Sequence, residues 1–135
     1  MTLQVELVSP ERILYSGEAD MVIARTVGGG EIAFLTGHSR FVGALDIATV
    51  TIRSSLGDET VAVHGGFVEV SASGDDDQTK VTILSDVAEM GSQVDVGRAR
   101  QAKDRAEEQM RQGDDDEAKA ALRRAEVRLT ASGAA

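Results

Sequence analysis

The sequence predicts an α+β chain in two parts: an N-terminal antiparallel β-sandwich or flattened barrel, then a C-terminal antiparallel two-helix hairpin. Three observations carry this expectation. From the start to about Leu84, short β-branched runs alternate with turn residues. After Ser85 alanine, glutamate, glutamine and arginine replace valine, threonine and isoleucine. The apolar period changes at the same place, from about two residues to about 3.6. The domains therefore divide into residues 1–86 and 87–135.

The first run, "LQVEL", sets Leu3, Val5 and Leu7 against Gln4 and Glu6, and "SPE" makes a turn. "MVIAR" follows, and Gly28 to Gly30 punctuate. "EIAFL" is next, then the loop "TGHSR", then "IATVTIR", with Ile47, Thr49 and Thr51 alternating against Ala48, Val50 and Ile52. Gly57 and Asp58 mark a hairpin turn before "TVAVH". Gly65 and Gly66 break that run, "FVEVSA" resumes it, the acidic "SGDDDQ" turns, and "KVTIL" closes the domain. Strands this short and numerous imply two layers or a flattened barrel.

In the helical part Ala99, Ala102, Ala106 and Met110 recur at helical spacing, as do Ala118, Ala121, Leu122, Ala125 and Leu129. Asp95 is a good N-cap for the first helix, and Asp114 to Glu117 suit the positive start of the second. Gly113 and the aspartates separate the two, and so short a loop makes the helices antiparallel. The seam is mostly alanine, so little apolar area is buried and the hairpin has low independent stability.

Composition excludes several classes. The 135 residues hold 14 basic and 23 acidic side chains, a formal charge of −9. A general nucleic-acid surface needs clustered positive charge, so nucleic acid is not an expected partner. Cysteine is absent, which removes disulfides and thiolate chemistry. The N-terminus lacks the basic, apolar and small-residue progression of a signal peptide, and no apolar run approaches the ~20 residues that span a bilayer. Four rings, Tyr15, Phe34, Phe41 and Phe67, are too few for a sugar-stacking platform.

No metal centre is expected. His38 and His64 lack a third ligand nearby, and the packed triplets Asp75 to Asp77 and Asp114 to Asp116 do not follow the alternating ligand spacing of a calcium loop. No catalytic residue is identified either: "VGGGEIAF" has no lysine and no helix after it, and no serine sits in a nucleophile elbow.

The arginines stand apart. At about 100° per residue, Arg98 and Arg105 fall close together on the first helix, on one flank of its alanine stripe. Arg124 and Arg128 fall on the corresponding flank of the second. Antiparallel packing brings the four to one face with few acidic residues, Glu117 being the exception. Uncompensated like charges attract an anion, a nucleotide phosphate or a partner's carboxylates. The other reading is a solvated basic face.

"GEIAFLTGH" (Gly30 to His38), "HGGFVEV" (His64 to Val70), "VTILSDVAE" (Val81 to Glu89) and "VDVGRA" (Val94 to Ala99) follow one another in this chain. In that order they resemble the epsilon subunit of F-type ATP synthases, over about Val5 to Leu129. The resemblance implies a non-catalytic rotor subunit of the central stalk, coupling proton transport to ATP synthesis. Its implied partners are the gamma subunit, the membrane-embedded proton-carrying ring and, when the hairpin extends, the catalytic alpha/beta head, where it restrains ATP hydrolysis. Its implied place is peripheral, on the cytoplasmic face of a bacterial plasma membrane. Glu31 and His38 match the family's motif around the loops that face the ring and gamma.

"VDVGRA" matches the family's nucleotide-binding motif through Val94, Asp95, Arg98 and Ala99, with Glu89 upstream and Arg105 downstream. Arg124 and Arg128 take the second-helix arginine positions. The resemblance therefore implies ATP as a regulatory ligand and no obligatory cofactor. Ala33, Thr36 and Arg40 depart from the family's usual glycine, proline and proline, and Gly97 weakens the first helical turn by up to ~1 kcal/mol against alanine. The alternative is a stand-alone ATP-sensing module of the same architecture; a secreted ligand-binding sandwich is disfavoured by the missing signal and few aromatics.

Overall fold

A computed structural model of the chain describes residues 2–73, 78–113 and 115–134. Eight strands come first: β1 (Leu3–Val8), β2 (Ile13–Ala19), β3 (Met21–Thr26), β4 (Gly30–Leu35), β5 (Phe41–Ser54), β6 (Gly57–Ser73), β7 (Gln78–Leu84) and β8 (Ala88–Met90). A 3-10 turn at Gly91–Gln93 leads into α1 (Val96–Arg111) and α2 (Asp116–Ser132). The strands form one open hydrogen-bonded path, β2-β1-β7-β6-β5-β3-β4, with β8 added to β6. Its inner surface closes on a single core.

Alternation builds that core. Leu3, Val5 and Leu7 of β1, Val22 and Ala24 of β3, Phe34 of β4, and Val81 and Ile83 of β7 all point into one cluster. Fully enclosing such a side chain contributes ~1.5–3 kcal/mol. β5 and β6 serve both halves of the core, and the inward parity changes along each. Leu45 faces in on β5 and then Val50 and Ile52 do; Val61 and Val63 face in on β6 and then Val68 and Val70 do. The change falls at Gly65 and Gly66, whose φ angles of 84° and 124° favour glycine. A Cβ on Gly66 would strike the Leu84 carbonyl.

Several expectations need correction. The glycine pair does not end a strand: it kinks one continuous strand, because the opposite strand turns with it and the pairing register is kept. β2 is a strand the sequence pattern does not announce, since "ILYSGEA" places only Tyr15, Gly17 and Ala19 on the inward parity. β5 begins at Phe41 rather than Ile47. The turn before "TVAVH" lies at Ser55 and Leu56, with Gly57 already paired to Ser54. The pairing is antiparallel except that β1 lies parallel to β7, because these are the first and seventh strands and no hairpin joins them. Val5 beside Val81 and Leu7 beside Ile83 keep both apolar sets on one face. The sheet continues into β8, three residues that pair with Val61 to Val63. The turn at Asp75 to Asp77 and the residue Asp114 lie outside the described residues.

The hairpin lies on the outer surface of β5 and β6. Val127 and Ala131 of α2 pack on Ala62 and Ile47, and the Arg123 guanidinium bonds the Asp46 carboxylate at 2.8 Å. Gly91 allows the close approach, because a Cβ there would run into the carbonyl oxygens of Ala131 and Thr60. α1 packs chiefly on α2, burying Ala99 and Ala106 in the alanine seam. The cap expected at Asp95 forms, accepting from the Arg98 N–H at 3.1 Å, and within the acidic start of α2 it is Asp115 that caps, accepting from the Glu117 and Ala118 N–H groups. α2 ends on Gly133, in the left-handed conformation.

Candidate anion-binding cleft

A cleft of about 390 Å³ opens where β8, the 3-10 turn and both helices meet. Each wall has a local cause. β8 pairs Glu89 with Ala62, so the carboxylate stands on the helix side of the sheet. The cap at Asp95 starts α1 at Val96, and one turn later the helix presents Arg98 and Ala99 to the cleft, then Ala102 and Arg105. α2 crosses back with Arg128.

Six of the eight residues expected to bind ATP line this space: Glu89, Asp95, Arg98, Ala99, Arg105 and Arg128. Val94 does not; its backbone N–H bonds the Gly91 carbonyl, so it shapes the entry to α1 instead. Arg124 does not line it either. Its guanidinium reaches Glu117, two turns earlier on α2, at 2.8 Å, so three arginines converge here and not four. Gln93 and Ala102 also line the cleft. Ala102 was visible in the alanine stripe, and Gln93 had only its place one residue before Val94 to reveal it.

The arginines differ in what they already hold. Arg128 Nε lies 2.6 Å from Glu89 Oε1, an ion pair with both members partly enclosed. No partner is found among the described residues for the guanidinium of Arg98 or of Arg105. Three arginines against two carboxylates leave the lining with one net positive charge, concentrated on the α1 wall. Two free guanidinium forks within one helical pair suit a multiply charged planar or tetrahedral anion, which accepts several charge-assisted bonds at once.

Glu31 and His38 are elsewhere. Glu31 stands at the start of the edge strand β4, and His38 in the turn that follows its end, where the His38 N–H donates to the Leu35 carbonyl. Glu31 is exposed. The His38 ring is set edge-on to Phe34, with centroids 5.0 Å apart, and its Nδ1 lies 2.8 Å from the Ser39 carbonyl oxygen. It closes one end of the core as well as meeting solvent.

Comparison with known proteins places this architecture. Residues 2–91 match the family profile "ATP synthase, Delta/Epsilon chain, beta-sandwich domain", and residues 92–133 match "ATP synthase, Delta/Epsilon chain, long alpha-helix domain". The chain is 42% identical over 130 residues to the ATP synthase epsilon chain of Streptomyces griseus, covering 96% of this chain and 94% of that one. It is 40% identical over 137 residues to the epsilon chain of Halalkalibacterium halodurans, covering 98% of each. Among solved structures, a chain of the Euglena gracilis mitochondrial ATP synthase (OSCP/F1/c-ring) superposes with a TM-score of 0.69 at 20% identity, over 98% of this chain and 78% of that one. The last of these speaks to the fold.

Proposed function

The chain belongs to the ATP synthase delta/epsilon family, and from that membership we propose that it is a non-catalytic rotor subunit of the central stalk, coupling proton transport to ATP synthesis, with ATP as the regulatory ligand of its cleft. The observation that carries the ligand is the pair of guanidinium groups, Arg98 and Arg105, that face one cleft and have no partner among the described residues. Its volume falls in the range of small-molecule sites. The phosphates would lie along the arginine wall. Ala99 and Ala102 leave room for a flat base against the α1 backbone.

The docking face for gamma is supported by an apolar row on the outer surface of the sheet. Ile13 pairs with Val8, Val8 with Leu84, Leu84 with Phe67 and Phe67 with Ala44, whose carbonyl accepts from Val27. Ile13, Phe67 and Val27 are each more than half exposed, as is Val42 beside them. A contiguous apolar row of this kind marks an interaction surface. No described helix is long and apolar enough to cross a membrane. The proposed place, from family membership, is peripheral on the cytoplasmic face, against the proton-carrying ring. Restraint of ATP hydrolysis would follow when the hairpin leaves the sheet and reaches the alpha/beta head.

Titration of ATP into the isolated chain by calorimetry tests the ligand. The parent binds with about one site, and Arg98→Ala weakens binding tenfold or more, since a charge-assisted bond contributes ~1.5–3 kcal/mol. Equal affinity for both, or none for the parent, removes ATP from the reading. Tagged protein purified from its own cells brings down the gamma subunit and the catalytic head; ATP binding without those partners would favour the stand-alone sensor.

A further inference from the structure

Beneath α2 lies a histidine that the cleft does not use. His64 stands on β6 directly opposite Ile47 and two residues after Ala62, and both of those pack against Val127 and Ala131 of α2. Its alternation with Val63 turns the ring away from the core and toward the helix. Neither ring nitrogen finds a hydrogen-bond partner among the described residues, although both are buried. The backbone there is pinned: the His64 N–H donates to the Val87 carbonyl at 3.1 Å, and the Ser85 hydroxyl reaches the Gly65 carbonyl at 2.8 Å.

We propose that His64 is a proton-sensitive latch on hairpin docking: it must be neutral for α2 to lie on the sheet, and its protonation releases the hairpin. The charged groups facing it decide the sign. α2 contributes Arg128 and Arg124, β8 contributes Glu89, the segment before β8 contributes Asp86 in the same recess, and β5 carries Asp46 one residue before Ile47, already engaged by Arg123. Of these carboxylates, Glu89 is the one whose charge acts on His64 to favour an imidazolium, and Arg128 holds it at 2.6 Å. A proton on His64 would therefore add a third cation to a half-closed space with that acid already committed.

Burial, and then the Arg128 charge, hold His64 down at about 4 against an ordinary 6.5. Undocking α2 removes the burial and both arginines, so the released state returns toward the ordinary value. The docked state therefore binds fewer protons than the released one between those two values. The contribution of neutral His64 to docking is present above about pH 6.5, and docking weakens by up to about tenfold per unit as the pH falls toward 4.

The full chain, which has no native cysteine, accepts a dye pair at Glu69→Cys on the exposed sheet surface and Gln101→Cys on the exposed side of α1. Energy transfer is followed from pH 7.5 to 5.5, above the range in which ordinary carboxylates titrate. The docking constant falls about tenfold over that span in the parent, by the same amount in His38→Gln, and less than twofold in His64→Gln. An equal fall in His64→Gln overturns the latch. Should His64→Gln fail to dock at all, the imidazole NMR signal of His64 in the parent decides. Protonation that accompanies the loss of transfer upholds the latch. A titration at the ordinary value with transfer unchanged overturns it.

Discussion

Inside the sandwich Phe34, Leu3, Leu7, Ile52 and Ile83 are completely enclosed, whereas the enclosed residues of the hairpin are mostly alanines, joined by Val127 and Leu129. The sandwich therefore holds itself by apolar area. Among the described residues the hairpin adheres through a small patch, the ion pairs Arg123–Asp46 and Arg128–Glu89 and a close backbone approach, and its first helix rests chiefly on its second. The large enclosed side chains thus belong to one part of the chain, and the other is held by much less apolar area. On the proposed reading the hairpin is a regulatory arm, which needs a free energy of docking small enough for a ligand or a proton to outweigh.

The contrast is tested most severely by Phe34→Ala, which should destabilise the whole chain by ~3–5 kcal/mol. Urea unfolding followed on both parts would then shift together. If only the strands responded, the two parts would be more independent than argued. Gly91→Ala comes next: the new methyl meets the Ala131 and Thr60 carbonyls, and overpacking of ~1–3 kcal/mol should fall on docking alone. Hydrogen exchange would speed up throughout α2 and stay slow in β5 and β6; acceleration in the strands would contradict it. Asp95→Ala removes the cap of α1 and costs about 1 kcal/mol, visible as fraying of the first turn in amide exchange. The smallest effect is a gain. A Cβ on Gly97 meets nothing closer than Asp95 Oδ1 at 3.7 Å, so Gly97→Ala should raise α1 stability by ~0.5–1 kcal/mol. A loss of stability would reveal a role for that glycine which its surroundings do not display.

Legibility in the sequence follows the same division. Where burial imposes a period, as in Leu3, Val5 and Leu7 or in Val81 and Ile83, the strand is plain from the residues. β2 hides because it is an edge strand bonded only to β1, free to carry Ser16, Gly17 and Glu18. The start of β5 hides because Val42 and Ala44 are apolar on the outer face, so alternation is erased there. Gly65 and Gly66 resemble a stop in the sequence, since local pattern does not distinguish a break from a kink that the opposite strand shares. In the cleft, helical spacing located Arg98, Arg105 and Arg128 correctly, but the same spacing could not say which acid each would find. Arg124 went to Glu117 and Arg128 to Glu89, the latter a pairing across 39 residues that only the fold creates.

The order of the ties along α2 has a mechanical consequence. Counting from the loop, Arg123 holds Asp46 first, then Val127 and Arg128 engage Ala62 and Glu89, and Ala131 sits last against Gly91. A pull applied at the loop loads these joints one after another, so the arm peels at low force with α1 carried along. A pull along the helix axis loads them all at once and meets their sum. The same few bonds thus make an arm that yields to lifting and resists sliding.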